Sequence, residues 1–293
     1  MGGGPCWFTY EKGFSNCGEY WWSVFTFTIN FFPEYVIANE GCYYWGWYPA
    51  CDLQLFIFLP WFIYFTIKSG RVWLQILIVC FGVCCSTGLN FWIIWANNMA
   101  AGLFAPQDIF IFKIFVIKPY SKFYTLFLGI GMGLMMNSIA QYRQTGSKSG
   151  IWHSLEKSWV FGIVSWIVSL LVLGFIVFYP LGANKDPMKW SRFHNSIFVS
   201  LSRPAFIMAI MMLIICMLLN HGRIMKRALG SSVLTPFSRL SYGVYLIFPL
   251  VTASLISAMN QSLFLSYTVM FYLVGYSYVF SFFVAMISWF VFE

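Results

Sequence analysis

The densest group of polar side chains in this sequence lies in the segment PFSRLSYGVYLIFP. Arg239 and Tyr242 are three residues apart, and Ser241 and Tyr245 are four apart, so on a helix each pair shares a face. A guanidinium beside two tyrosyl hydroxyls can bind a phosphate or an oxyanion, because all three groups donate hydrogen bonds. An anchor of Arg and Tyr at a lipid–water interface is the alternative. Ser238 is a candidate N-cap for the helix that follows.

Three further sites place charged groups within or beside long apolar runs. Asp52 opens one run, in WYPACDLQ, where a carboxylate can cap a helix N-terminus. Lys118 and Tyr120 stand just before another run, where the cation can hold an anionic group or extend to the interface. Pro204 is typical of a first helical turn, which places Arg203 near the start of its helix. Polar groups are costly in lipid, so each site is a functional candidate with a structural role as the alternative.

Several familiar catalytic and metal-binding motifs are missing from the sequence. It has no Gly-x-Ser-x-Gly elbow, no His-Glu-x-x-His and no P-loop. The three histidines, His153, His194 and His221, lie outside the long apolar runs, and no Cys/His spacing matches a zinc site. We therefore predict no metal and no resident cofactor.

The composition indicates that lipid covers much of the molecule. Hydrophobic residues make up 60% of the 293 positions, and charged residues make up only 9%. A soluble domain carries roughly 25% charge, and 9% is too little to build a water-facing surface. The net charge of +8 comes from basic residues spread thinly along the chain, with no cluster that could follow a nucleic-acid backbone. Nucleic acid is therefore excluded as a partner, and membrane lipids are expected.

The long apolar runs predict an all-α fold, a polytopic bundle of transmembrane helices. Residues 1–51 are expected to form an extracytoplasmic or interfacial segment, and residues 52–293 one transmembrane domain, with the density of basic residues in short loops placing 1–51 outside. In the third span, Gly129 and Gly133 have the spacing at which helices approach closely. The predicted spans are 52–68, 72–95, 121–141, 158–179, 197–219, 239–258 and 266–291.

Two of the eight cysteines are candidates for a disulfide. Cys17 and Cys42 both lie in the polar segment on the predicted outer side, where an oxidising compartment would let them pair. The closed loop of about 25 residues would stabilise the fold by on the order of 3 kcal/mol. Two unpaired thiols are the alternative.

The polar segments together resemble the membrane acyltransferase type 3 family and, within it, the nose-resistant-to-fluoxetine-like branch. RLSYGVYL before Pro249 is similar to the family signature SRLTYxxYLxHP. The other similarities follow the family's order over most of the chain: Cys17 with YWW and INF, Cys42 with WGWY, DLQ and Pro60, Lys118-Pro119-Tyr120 with Gly129 and Gly133, then Arg203, Gly222 and the final FE.

The resemblance implies an integral membrane enzyme that moves an acyl group from a donor such as acyl-CoA, its co-substrate, to a hydroxyl acceptor such as a lipid or carbohydrate. In the family a histidine acts as general base and arginines handle the donor phosphates. One essential histidine lies on a helix that would precede residue 1, and Phe248 stands where the signature has the second. Loss of a positioned general base costs about 10²–10⁴ in rate.

The sequence thus leaves the catalytic residues unassigned and two functions open. One is acyl transfer, and the other is non-catalytic binding or transport of lipids or small hydrophobic compounds. A multi-pass position in the plasma membrane or the endoplasmic reticulum is expected for either function. The candidate substrate-binding residues are Asp52, Lys118, Tyr120, Arg203, Arg239, Tyr242 and Tyr245.

Overall fold

The computed structural model describes residues 16–32, 42–100, 112–146, 150–182, 190–259 and 266–292. These residues form ten α-helices with short π and 3₁₀ turns at 112–116 and 119–122, and no strand occurs among them, which confirms the predicted all-α fold. The helices are α1 (Cys17–Phe25), α2 (Trp47–Lys68), α3 (Val72–Ala96), α4 (Phe123–Thr145), α5 (Ile151–Lys157), α6 (Trp159–Phe178), α7 (Arg192–Leu218), α8 (Arg223–Leu229), α9 (Leu234–Ala258) and α10 (Tyr267–Phe292).

Seven of these helices are long and apolar enough to cross a membrane, as predicted. They are α2, α3, α4 with its preceding turn, α6, α7, α9 and α10. Their ends follow local chemistry. The Ser158 hydroxyl accepts a hydrogen bond from the Phe161 N–H at 3.2 Å and caps α6, and Gly146, with a φ of +59°, ends α4 in the left-handed conformation that glycine adopts freely.

Three helices begin earlier than the sequence suggested, and each difference moves a candidate residue into a helix interior. The prediction that Asp52 caps its helix is wrong, because α2 begins at Trp47 and Pro49 occupies its first turn. Arg203 does not lie near a helix start, because α7 begins eleven residues earlier, at Arg192, where Ser191 is its N-cap. Ser238 does not cap α9, which begins at Leu234.

The chain divides into two compact units, one of residues 52–226 and the other of residues 1–51 and 227–293. The boundary falls within α2, between Cys51 and Asp52. The predicted division at the same position, into a segment 1–51 and a domain 52–293, stays a prediction.

In unit 52–226, α3 packs against α4 and α7, and α7 packs against α6. The close approach of α3 and α4 occurs at Gly82, where an added Cβ would lie 2.4 Å from the Phe127 ring, and at Gly131, where it would lie 3.1 Å from Val79. The prediction that Gly129 and Gly133 make this approach is wrong, because nothing lies within 4 Å of a Cβ at either position. These two glycines lie on a different side of the helix from Gly131.

In the other unit, α9 packs against α10, with Gly243 facing Ala285. The predicted disulfide between Cys17 and Cys42 is present and joins the start of α1 to the chain just before α2. The bond therefore holds Tyr43 and Trp45, one and three residues after Cys42, close to a covalent cross-link.

Candidate functional site

Arg203 carries its charge inside the membrane-spanning part of α7. It lies eleven residues beyond Arg192, or about 16 Å along the helix axis. Its guanidinium carbon is 4.9 Å from the centre of the buried Phe115 ring, and its charge also acts on the buried Tyr124 hydroxyl. The ring face stabilises the cation, but no described carboxylate pairs with it. Among the described residues, the partners of the Arg203 charge are the Phe115 ring and the Tyr124 hydroxyl.

The segment before α4 places Phe115 beneath Arg203. The Tyr120 hydroxyl donates to the Ile114 carbonyl, and Lys122 Nζ donates to the Val116 carbonyl. The Ser121 hydroxyl donates to the Lys118 carbonyl at 2.8 Å, which closes the turn. Lys118 and Tyr120, both candidate residues, thus belong to the turn that shapes the surroundings of Arg203.

Helix α3 adds two buried polar atoms to the same unit. Asn90 donates from Nδ2 to the Ser121 carbonyl at 3.0 Å, but its Oδ1 has no partner among the described residues. Ser86, one helical turn earlier, has an unpartnered buried hydroxyl. One turn after Asn90, Ile94 packs in one cluster with Phe115. An unpaired buried polar group costs about 1–3 kcal/mol, so these atoms indicate a place for a water molecule or a ligand.

Asp52 does not join this group by any contact in the structure. Its side chain is exposed on α2, and it makes no hydrogen bond or ion pair with a described residue. Its place in substrate binding stays a prediction.

The signature helix α9 lies in the other unit and presents its polar residues differently. Arg239 is exposed and makes no hydrogen bond, ion pair or ring contact with a described residue. Tyr242 is half exposed, and the Ser241 hydroxyl donates to its own helix, to the Ser238 carbonyl at 2.7 Å. The Tyr245 hydroxyl donates to the Trp45 carbonyl at 3.3 Å, so an oxyanion would compete for this proton.

The Leu246 carbonyl of α9 is a point of attachment for the segment after the disulfide. It accepts hydrogen bonds from the Tyr43 hydroxyl at 3.1 Å and from the Trp45 indole at 3.2 Å. Pro249 lies three residues further on and has no N–H, so the carbonyl that loses its helical donor is that of Tyr245, the neighbour of Leu246. Phe248, at the signature position of a histidine, lies on the same turn.

The geometry around Tyr43 requires a glycine nearby. Tyr43 has a φ of +60°, and its ring lies where a side chain on Gly46 would be, 2.7 Å from an added Cβ. Burial raises the pKa of Tyr43 above its usual value, although the hydrogen bond with Trp45 opposes this shift. The hydroxyl therefore stays protonated and remains a donor.

A third polar cluster, which the sequence did not reveal, joins α4, α5 and the end of α7. Tyr142 donates to Glu156 Oε2 at 2.8 Å, and Asn220 Nδ2 donates to Oε1 at 2.7 Å. The Tyr142 hydroxyl also lies 3.2 Å from His153 Nδ1. The Tyr142 hydrogen bond, with help from Asn220 and the nearby cations, holds the pKa of Glu156 below its usual value against the effect of burial. No motif spacing marks these residues, because Asn220 is 64 positions from Glu156.

The described residues hold no group of three or more His, Cys, Asp or Glu side chains that could bind a metal ion.

Comparison with known proteins identifies the family. The model of the acyltransferase domain of the acyltransferase 3 family matches residues 8–292, nearly the whole chain. The chain therefore belongs to this family and, with its seven apolar helices, is a multi-pass integral membrane protein of the acyltransferase-like class. No curated protein and no solved structure matches it.

Proposed function

We propose that this protein transfers an acyl group from a donor such as acyl-CoA to a hydroxyl acceptor, and that Arg203 binds the donor. The observation that carries the proposal is a cation about 16 Å along a membrane-spanning helix with no described carboxylate beside it. Intramembrane charges are rare, face protein or water rather than lipid, and mark substrate paths.

The chemistry around Arg203 suits a phosphate-bearing donor. A guanidinium offers five N–H donors in a planar fork that matches phosphate oxygens. The orphan Oδ1 of Asn90 accepts hydrogen bonds, and the amide N–H groups of a coenzyme A arm can supply them. We assign Lys118 and Tyr120 to the same ligand, because they belong to the turn that holds Phe115 against Arg203. Asp52, exposed in the same unit, stays a candidate for substrate binding.

We assign Arg239, Tyr242 and Tyr245 to the hydroxyl acceptor. Arg239 and Tyr242 are exposed on α9, and the tyrosyl oxygens of Tyr242 and Tyr245 can each accept a hydrogen bond from an alcohol. The general base is unassigned. Phe248 cannot take a proton, so the base must be a residue outside this signature.

We further propose the nose-resistant-to-fluoxetine-like branch, in the plasma membrane or the endoplasmic reticulum. The disulfide between Cys17 and Cys42 supports both statements, because these cysteines carry the resemblance to that branch and disulfides persist on the oxidising side of such membranes.

A second candidate function is the binding or transport of lipids or small hydrophobic compounds without chemistry. Phe248 favours it, because a family member without the signature histidine retains binding surfaces but loses a proton acceptor.

A single assay on the purified full-length protein in lipid nanodiscs separates the two functions. We expect release of coenzyme A from radiolabelled acyl-CoA above a heat-treated control, and its loss in Arg203→Ala. Arg223→Ala, which removes an exposed arginine at the start of α8, is the matched control and should keep wild-type turnover.

Two results would overturn the proposal of acyl transfer. Binding of acyl-CoA without release of coenzyme A would support the binding function alone. Turnover that survives Arg203→Ala would remove Arg203 from the donor site.

A further inference from the structure

An apolar furrow runs between α6 and α7 on the unit of residues 52–226. Its volume is about 430 Å³, and Ser202 supplies the one hydroxyl side chain among its described lining residues. The main lining residues are Leu171, Phe175, Ile197, Phe198, Ser202 and Ala205. An open apolar channel on a membrane-spanning surface is filled by hydrocarbon, since water has no polar partners there.

The furrow has the length of an acyl chain within one leaflet. From Ile197 to Ala205 the helix advances eight residues, or about 12 Å. Half of a hydrocarbon core of about 30 Å is about 15 Å, so the furrow lies within a single leaflet if it begins near the surface. The position of its upper end therefore decides what can enter it.

An aromatic cluster stands at the upper end of the furrow, the end nearer Phe175 and Ile197. Tyr179 directly follows α6, Trp190 precedes α7, and His194 lies in the first turn of α7. Tyr179 stacks on His194 with ring centres 5.8 Å apart, and its hydroxyl lies 3.1 Å from His194 Nε2. The Trp190 ring centre is 4.3 Å from that of His194 and 5.2 Å from that of Tyr179, so the three rings contact one another. Trp and Tyr at span ends lie at headgroup depth.

The cluster is continuous with the furrow through two shared side chains. Phe175, which lines the furrow, stacks on Tyr179 at 4.5 Å, and Phe198, another lining residue, contacts Trp190 at 5.4 Å and Tyr179 at 5.5 Å. No described residue accepts a hydrogen bond from the Trp190 indole. A polar donor group therefore stands directly above an apolar channel.

We propose that this furrow binds one phospholipid of the surrounding bilayer, with an acyl chain between α6 and α7 and its ester or phosphate oxygens accepting hydrogen bonds from Trp190 and Tyr179. In this arrangement His194 Nε2–H donates to the Tyr179 oxygen, which leaves the Tyr179 proton for the lipid. The arrangement matches a phospholipid in order and depth, since the donors lie at headgroup level and the channel below them is apolar. This site does not depend on the proposed acyl transfer, because neither Arg203 nor the α9 residues belong to it.

Photolabelling in nanodiscs tests the site. The probe is a phosphatidylcholine that carries a diazirine in one acyl chain, and labelled residues are mapped by mass spectrometry of the full-length protein. We expect labels concentrated on residues 171–176 and 197–205. Ala205→Phe fills the furrow and should reduce this labelling at least five-fold, a factor that corresponds to about 1 kcal/mol.

Matched variants keep the result interpretable. Ala140→Phe makes the same change at an exposed position of α4 and should leave labelling unchanged. If Ala205→Phe does not elute as folded protein, Ser202→Leu narrows the furrow with a smaller side chain. Trp190→Phe keeps an aromatic ring but loses the indole N–H, and should weaken labelling by the phospholipid more than labelling by a free fatty acid with the same diazirine chain.

Three outcomes would overturn the proposal. One is labelling of the exposed helix α10 as strong as that of the furrow, which would indicate ordinary bilayer contact. Another is unchanged labelling in the furrow-filling variants. The third is a cross-link between two copies of this chain at residues 171–176, which would mean that protein and not lipid covers the furrow.

Discussion

Two arginines inside membrane-spanning helices have opposite surroundings. Arg203 in α7 is partly buried, lies over Phe115 and acts on Tyr124, whereas Arg239 in α9 is exposed and makes no polar or ring contact with a described residue. Yet Arg239 lies in the richest motif of the sequence, and Arg203 stands nearly alone in an apolar run. The motif around Arg239 therefore indicates the family. The burial of Arg203 indicates where an anion can bind most strongly, because electrostatic attraction grows as water is excluded.

The largest effect should come from the ring beneath Arg203. Phe115→Ala empties a fully buried position and should lower the free energy of unfolding by about 3–5 kcal/mol. Phe271→Ala removes the same ring from a position that is 79% exposed and should change it far less. Thermal unfolding in one detergent compares them, and equal costs would mean that Phe115 is not enclosed.

The disulfide between Cys17 and Cys42 stabilises the unit that contains α9, as Phe115 stabilises the unit that contains α7. Replacing Cys17 and Cys42 with serine should cost about 3 kcal/mol, because the open chain regains the freedom of a loop of about 25 residues. Replacing the exposed Cys80 and Cys84 with serine is the control in the same unfolding assay. A cost no greater than that of the control pair would remove the disulfide as a support.

A smaller effect is expected where Tyr43 contacts α9. Tyr43→Phe removes one hydrogen bond to the Leu246 carbonyl and should cost about 1 kcal/mol. Hydrogen exchange should rise in α9 near Leu246 and stay unchanged in α7. Exchange that rises equally in both helices would show a global loss of stability and not a local attachment.

The smallest effect concerns Glu156, whose pKa is lowered by its hydrogen bond with Tyr142. The folded state then holds the charged form more tightly than the unfolded state does. Its stabilising contribution is present above the unfolded pKa, about 4.3, and disappears as pH falls through the lower folded pKa.

Because Glu156 is only partly buried, the contribution should stay below about 1 kcal/mol. Glu156→Gln should therefore flatten the dependence of unfolding temperature on pH between 6 and 3, with Glu19→Gln as the control. An unchanged slope in Glu156→Gln would contradict the lowered pKa.

The sequence predicted what depends on composition and on short-range pattern. Apolar runs determine spans regardless of how the helices pack, so all seven were found. The disulfide followed from two cysteines in one polar segment.

What the sequence missed depends on distant residues and on competing local signals. Ser238 and Asp52 both have side chains that can cap a helix. However, α9 begins at Leu234 and α2 at Trp47, so each of these two residues lies inside its helix. Gly131 and not Gly129 lies at the helix contact, since only the packing of α3 decides which side of α4 it meets. The Glu156 cluster joins three helix ends and leaves no mark in any short segment.

The most direct test of this account is the affinity of the full-length protein for a non-hydrolysable acyl-CoA analogue, measured by equilibrium binding in nanodiscs for the wild type, Arg203→Ala and Arg239→Ala. We predict that Arg203→Ala weakens binding by about 10- to 100-fold, because a charged hydrogen bond in an enclosed site contributes about 1.5–3 kcal/mol. Arg239→Ala should weaken it less than about three-fold, as expected for an exposed charge. Equal losses in the two variants, or a loss in Arg239→Ala alone, would contradict the assignment of the donor to Arg203.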